Sequence, residues 1–157
     1  MLSLIHISSY CKTNRNPYGQ TIEDTNKLID LGYQDRPALN QYFGSIFFAR
    51  THSAPFKNWF HNLNDSASGI GEMKSLISLR DENVFEDLRY IRVPTGIFHG
   101  KEDKICPFGM AEIVHKSIEN SKLFPFENAG HGAFYDAKDQ FNQTLVNFLK
   151  ESNSILF

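Results

Sequence analysis

The spacing of apolar residues changes twice along the chain. Residues 2–7 form a short apolar run that ends at two serines, a pattern typical of a largely buried strand. From about residue 21 to residue 79 the apolar positions recur at helical spacing. Four helices are predicted there, over TIEDTNKLIDLG, RPALNQYFGSIFFA, SAPFKNWFHNL and SGIGEMKSLISL. The first is expected to stop at Gly32, and the next two have a proline near their start.

After residue 88 the pattern predicts alternating strands and helices. The segments are the strand VPTGIFHG, the amphipathic helix PFGMAEIVHKSI with Pro107 at its first position, the strand and loop SKLFPFENAGHG, and the helix AKDQFNQTLVNFLKE. This order implies an α/β fold with a parallel sheet and right-handed crossovers. We therefore divide the chain into a core strand and loop at 1–15, a helical insertion at 16–88 and an α/β core at 89–157.

Composition and charge narrow the class of protein. The 157 residues suit one globular domain, with 41% hydrophobic and 22% charged residues and no segment that requires a membrane. A net charge of −2 without a block of like charge gives no electrostatic footprint for nucleic acid or anionic lipid, so a small neutral partner fits better. Cys11 and Cys106 lie far apart in the sequence and in apolar surroundings, as expected of reduced thiols in a cytoplasmic protein. The N-terminus lacks the basic region of a signal peptide.

Two polar side chains follow the two strands of the α/β core. Asp103 comes after VPTGIFHG, and His131 comes after SKLFPFENAG. Because the carboxyl ends of parallel strands meet at one edge of a sheet, these residues are expected to be neighbours. The carboxylate would then orient the imidazole, and His131 would act as a general base. Gly130 and Gly132 would let the loop bend sharply without Cβ clashes, but a loop histidine that is exposed or caps a helix fits the same spacing.

The segment from Val93 to Leu149 resembles the C-terminal part of an α/β-hydrolase, in which the acid follows one strand and the histidine follows the next. DENVFEDLRYI resembles in particular the cofactor-free chloroperoxidase and arylesterase branch. LSLIHISSY resembles the strand that follows the nucleophile helix in that fold, and the helical stretch between these two segments resembles its cap. The resemblance therefore implies a partial α/β-hydrolase fold that contains the last three parallel strands and a helical cap. It also implies a serine mechanism on a small apolar ester without metal or haem, and allows peracid formation with secondary halide oxidation.

The resemblance exposes a gap, because the chain contains no G-x-S-x-G motif for the nucleophilic serine. Ser45 and Ser68 lie near glycines but fall in the helical stretch and do not follow a strand. We expect the nucleophile and the oxyanion hole to lie upstream of Met1, so that the chain alone is inactive. The alternative is a noncatalytic module, or one chain of a two-chain hydrolase, that binds a complementary N-terminal chain or self-associates through an open sheet edge.

The remaining candidates concern the pocket and the other histidines. Phe134, Trp59 and Phe108 are predicted to line a substrate pocket, although the aromatic residues of the helical stretch at helical spacing equally fit core packing. His99 is expected to bond to backbone or to brace the acid loop. A metal site formed by His99, Asp103 and His131 lacks a recognisable ligand spacing. The other histidines are expected to be surface or satisfied groove residues: His52, His61 and His115.

Overall fold

A computed structural model of the chain describes residues 17–154. The strand predicted at residues 2–7, and Cys11 with it, lie outside the described residues. The described elements are α1 (Ile22–Gln34), α2 (Arg36–Phe47), α3 (Ala54–Ser66), α4 (Gly69–Asp81), a 3₁₀ helix (Phe85–Tyr90), β1 (Thr95–Gly100), α5 (Phe108–Ser117), β2 (Ser121–Phe126), α6 (Ala133–Asp136) and α7 (Lys138–Ser154). All four helices predicted between residues 21 and 79 are present, and so are both strands predicted after residue 88.

Each of the first four helices begins at a residue whose side chain accepts a hydrogen bond from a backbone N–H of the first turn. Thr21, Asp35, Ser53 and Ser68 are these N-caps. We call α1–α4 the helical region. Its core is formed by apolar residues of α1, α2 and α4: Ile29, Leu39, Met73 and Leu76. Arg36 links α2 to α3 and α4 by hydrogen bonds, because its guanidinium donates to backbone carbonyls at the end of α3 and to Glu72 of α4.

The prediction that Gly32 stops the first helix is wrong, because α1 continues to Gln34. Gly32 is buried inside the helix, where a Cβ atom would overlap the side chains of Met73 and Leu39. In this close packing of α1 against α2 and α4, a larger residue at position 32 would have to displace the ends of the Met73 and Leu39 side chains. The helix ends where Asp35 begins α2.

The two described strands form a parallel pair. Thr95 is opposite Ser121 and Gly100 is opposite Phe126, with α5 as the crossover between the strands. Pro107 precedes α5 rather than occupying its first position, as its extended ψ of 142° requires. Phe126, Ala129 and Ala133 form the buried centre of this half, and the rings of Phe98 and Phe141 pack against it.

The structure is a helix-rich α/β arrangement around a parallel pair of strands. Both strands end at the same edge, because their residues are in parallel register from first to last. Within residues 17–154, no helix has the length and hydropathy needed to cross a membrane.

Candidate active site

The loop after β1 folds around the carboxylate of Asp103. Its Oδ1 accepts hydrogen bonds from the backbone N–H groups of Ile105 and Cys106, each at 2.8 Å. Such a turn is typical of aspartate, whose short side chain reaches the backbone two or three residues on. The side chain is only 2% exposed, so the carboxylate is fixed by the loop that carries it.

The loop after β2 brings His131 to the same carboxylate. The backbone N–H of Glu102 donates to the carbonyl of Ala129 at 2.9 Å and ties the two loops together. A Cβ atom at Gly100 would overlap the backbone carbonyls of Ala129 and Gly130, so glycine at the end of β1 lets the second loop lie directly upon it. As a result, Nδ1 of His131 lies 2.9 Å from Oδ2 of Asp103.

The electrostatics of this pair define which atom can take up a proton. Burial by itself would raise the pKa of Asp103, but the hydrogen bond and charge of His131, with smaller contributions from the Cys106 backbone and His99, hold its pKa below the ordinary value. An ionised carboxylate only accepts hydrogen bonds, so Nδ1 of His131 is the donor. In the neutral ring Nε2 then carries the lone pair, and the arrangement can accept a proton at that atom.

His99 is a second imidazole beside the same carboxylate. Its Nε2 lies 2.7 Å from the carbonyl oxygen of Cys106 and 3.3 Å from Oδ2 of Asp103. The ring therefore bonds to the backbone of the acid loop, which is the position expected from the sequence. Among the described residues, no group of three or more His, Cys, Asp or Glu side chains could hold a metal ion.

The glycines on either side of His131 lie where a Cβ atom would clash, as expected from the sequence. Neither Gly130 nor Gly132 has a positive φ. A Cβ atom at Gly130 would lie 2.7 Å from the backbone nitrogen of Ala49 and 2.9 Å from the carbonyl oxygen of Phe47, and one at Gly132 would overlap the ring of Phe48. The close approach of residues 47–49 therefore leaves no room for a side chain at either position.

Two cavities meet at His131. The first, of about 330 Å³, runs along β1 to Asp103 and His131, and the second, of about 420 Å³, lies between His131 and the helical region. Apolar residues line most of both, and Phe47 borders both with its ring 5.0 Å from that of His131. His131 thus lines two largely apolar cavities.

Neither cavity is lined by a serine of the described residues. Ser45 donates to the carbonyl of Tyr42, and Ser68 caps α4, so both have local structural roles. Cys106 does line both cavities. However, burial and the nearby Asp103 charge raise the pKa of its thiol to about 12, so at neutral pH it is a poor nucleophile.

The three predicted pocket residues lie in different surroundings. Phe134 lines the first cavity and is 53% exposed. Phe108 is half-buried beside His99, with ring centroids 6.0 Å apart. Trp59 of α3 is 52% exposed and contacts Phe56. Neither Phe108 nor Trp59 belongs to the lining of the two cavities at His131, so their part in a pocket stays a prediction.

Sequence reasoning missed Asp136 and gave His52 no specific role. His52 lies in the segment between α2 and α3, where its Nε2 lies 3.1 Å from Oδ1 of Asp136. The available signal was a single acidic residue among AFYDA, which is unusual so close to an apolar core.

The parallel strands and their two loops match part of an α/β-hydrolase fold. Homologues over most of this chain are α/β-hydrolase superfamily members, including esterases and non-heme chloroperoxidases. The AB hydrolase superfamily protein YisY of Bacillus subtilis is 39% identical over 140 residues, which are 89% of this chain and 52% of that protein. No protein-family model matches the chain.

Solved structures agree with this assignment. The esterase from Exiguobacterium antarcticum superposes with a TM-score of 0.86 at 44% identity, over 90% of this chain and 53% of that one. The bromoperoxidase from Bacillus anthracis gives a TM-score of 0.82 at 26% identity, over 88% and 53%. The chain thus spans about half the length of the relatives it matches.

Proposed function

We propose that Asp103 and His131 are the acid and the base of a Ser-His-Asp triad that hydrolyses carboxylic esters by acyl transfer. The observation that carries this proposal is the 2.9 Å contact between Nδ1 of His131 and Oδ2 of Asp103 at the carboxyl ends of two parallel strands. His131 takes the proton of the serine through Nε2 and later returns it to the leaving alcohol, while Asp103 stabilises the imidazolium.

The nucleophile of the proposed triad comes from polypeptide outside the 157 residues. The sequence contains no G-x-S-x-G motif, and the chain matches about half the length of its relatives. Without the serine, and without the oxyanion-hole donors that accompany it, no acyl-enzyme can form. The chain by itself is therefore expected to bind an apolar ligand or a complementary segment but not to turn over esters.

The proposed substrate is a small, largely apolar ester. Apolar side chains from α2, α3, α4 and the acid loop surround the second cavity, so the helical region acts as a cap above the base. A pocket of this kind excludes water and favours an apolar acyl or alcohol group. Related proteins described as an esterase and a bromoperoxidase are consistent with oxygen-ester chemistry at such a site.

A hybrid protein tests the proposal. The part of the Exiguobacterium antarcticum esterase that lies outside the 53% matched by this chain is joined to this chain and assayed with p-nitrophenyl acetate. We expect the hybrid to hydrolyse the ester, and His131→Ala and Asp103→Asn in the hybrid to lower kcat by about 10³–10⁴-fold. The chain alone should give no turnover above background.

His115→Ala is the matched control, because that imidazole bonds to Ser121 at the opposite end of β2. It should leave the activity of the hybrid within about twofold, as expected for a residue remote from the chemistry. A folded hybrid whose turnover survives His131→Ala would refute the assignment. Turnover by the isolated chain would refute the proposed origin of the nucleophile.

A further inference from the structure

Asp136, the last residue of α6, is a fully buried carboxylate that the proposed reaction does not use. Its side chain is 0% exposed. Oδ2 accepts from the backbone N–H groups of Gly130 at 2.9 Å and Ala49 at 2.8 Å. Oδ1 accepts from the backbone N–H of Arg50 at 3.4 Å and lies 3.1 Å from Nε2 of His52. The four donors offset the desolvation of the charge.

These donors belong to two parts of the molecule that are distant in sequence. Three come from residues 49–52, which follow α2 of the helical region. The fourth is Gly130, the residue before His131. Asp136 lines neither of the cavities at His131, so it does not face a substrate there. The Asp136 side chain thus connects residues 49–52 to the loop that carries His131, from a position outside both cavities.

A second bond holds the other side of His131. The backbone N–H of Gly132 donates to the carbonyl of Phe47 at 3.0 Å. The backbone N–H groups of both neighbours of the histidine are therefore attached to the end of α2 and the residues after it. Gly132 bonds directly to Phe47, and Gly130 is joined through Asp136 to residues 49–52. Because Phe47 also contacts the His131 ring, the position of that ring depends on how the segment docks.

We propose that Asp136 is a positioning residue, which fixes His131 against Asp103 by joining Gly130 to residues 49–52. This inference rests on the proposed role of His131 as the base. Displacing a catalytic group by about 1 Å can cost about a hundredfold in rate, so loss of the joint should lower kcat and leave substrate binding largely intact. Binding and catalysis can be separated because Asp136 lies behind the base and outside both cavities.

The first test uses the chain alone and requires no activity. The Nδ1–H proton of His131 is assigned by NMR from its disappearance in His131→Ala, and its exchange with water is measured at fixed pH. Asp136→Ala removes all four acceptor contacts and should speed this exchange by about tenfold or more, as expected when a fixed hydrogen bond opens locally. Asp136→Asn keeps one acceptor oxygen for Gly130 and Ala49 and should restore most of the protection.

The second test uses the ester-hydrolysing hybrid. Asp136→Ala should lower kcat by about 10- to 100-fold and change KM by less than about threefold, with Asp136→Asn in between. Ile118→Ala, which removes buried packing at the end of α5 and lines neither cavity, is the matched control for lost stability. It should alter neither kcat nor the Nδ1–H exchange at temperatures at which it stays folded.

The outcomes are separable. Unchanged exchange and unchanged kcat in a folded Asp136→Ala variant would overturn the positioning role, and so would equal effects from Ile118→Ala. If Asp136→Ala does not fold, His52→Ala is tested in its place, because that half-buried ring contributes one of the four contacts. Its loss should speed the exchange of the His131 Nδ1–H proton about threefold. An unchanged exchange rate would overturn the proposal. An inactive hybrid combined with the expected exchange pattern would refute the hydrolase assignment but leave the positioning of His131 supported.

Discussion

Nε2 of His99 and Nδ1 of His131 lie 3.3 and 2.9 Å from the same oxygen, Oδ2 of Asp103. Two imidazoles thus share one buried carboxylate, but their surroundings differ. His99 also lies 2.7 Å from the carbonyl of Cys106, which can only accept, so its Nε2 carries a proton. His131 instead borders both cavities. The acid therefore has one imidazole that braces its loop and another that borders both cavities.

The bracing by His99 predicts a specific loss of stability. His99→Ala leaves the carbonyl of Cys106 without this donor, and the free energy of unfolding should fall by about 1–3 kcal/mol. His99→Gln places an amide N–H near the position of Nε2 and should recover more than half of the loss. Urea denaturation at pH 7 measures both variants. Equal stability of His99→Ala and the parent would contradict the assigned bond.

The buried Asp103 carboxylate predicts a pH dependence of stability. Its pKa is lower in the folded protein than the ordinary value of 3.8, so the folded state is stabilised at neutral pH. This contribution is lost as the pH falls from about 5 through the folded pKa, because the carboxylate must then be protonated. Asp103→Asn should be less stable than the parent at pH 7, and the gap in unfolding free energy should narrow toward pH 3. Urea unfolding between pH 7 and 3 measures this gap.

Asp30 supplies the control for removing a carboxylate, since its side chain is exposed on α1. Asp30→Asn should change the unfolding free energy at pH 7 by less than about 0.5 kcal/mol. A gap for Asp103→Asn that stays constant or widens at low pH would show that the carboxylate does not stabilise the folded protein.

The close approach at Gly130 predicts that an added methyl group destabilises the protein. In Gly130→Ala the new Cβ would meet the backbone of Ala49 and Phe47, which cannot move aside as a flexible side chain can. We expect a loss of about 1–3 kcal/mol in unfolding free energy. Gly71→Ala is the matched control, because its Cβ would meet only the Ser68 side chain at ordinary distance within α4, and it should be neutral or stabilising by up to about 1 kcal/mol. Thermal melting of both variants decides, and equal losses would contradict the close approach.

Helix and strand positions could be read from the sequence because the signals are local. Thr21 and Ser53 are side-chain caps at the start of periodic apolar stretches, and the runs around Ile97 and Phe124 form strands. The juxtaposition of Asp103 and His131 followed from one global rule, since residues just after neighbouring parallel strands share an edge. The resemblance to α/β-hydrolases rested on these same segments.

The tertiary structure alone decided the features whose partners are remote in sequence. Gly32 looked like a helix stop, yet α1 passes through it because Met73 and Leu39 pack against its backbone. The one acidic residue in AFYDA did not indicate which groups Asp136 would bind, because its partner Ala49 is 87 residues away along the chain. A sequence pattern records which side chains neighbour one another along a helix or strand. It does not record which loops the packed molecule brings into contact, and those contacts hold the histidine in place.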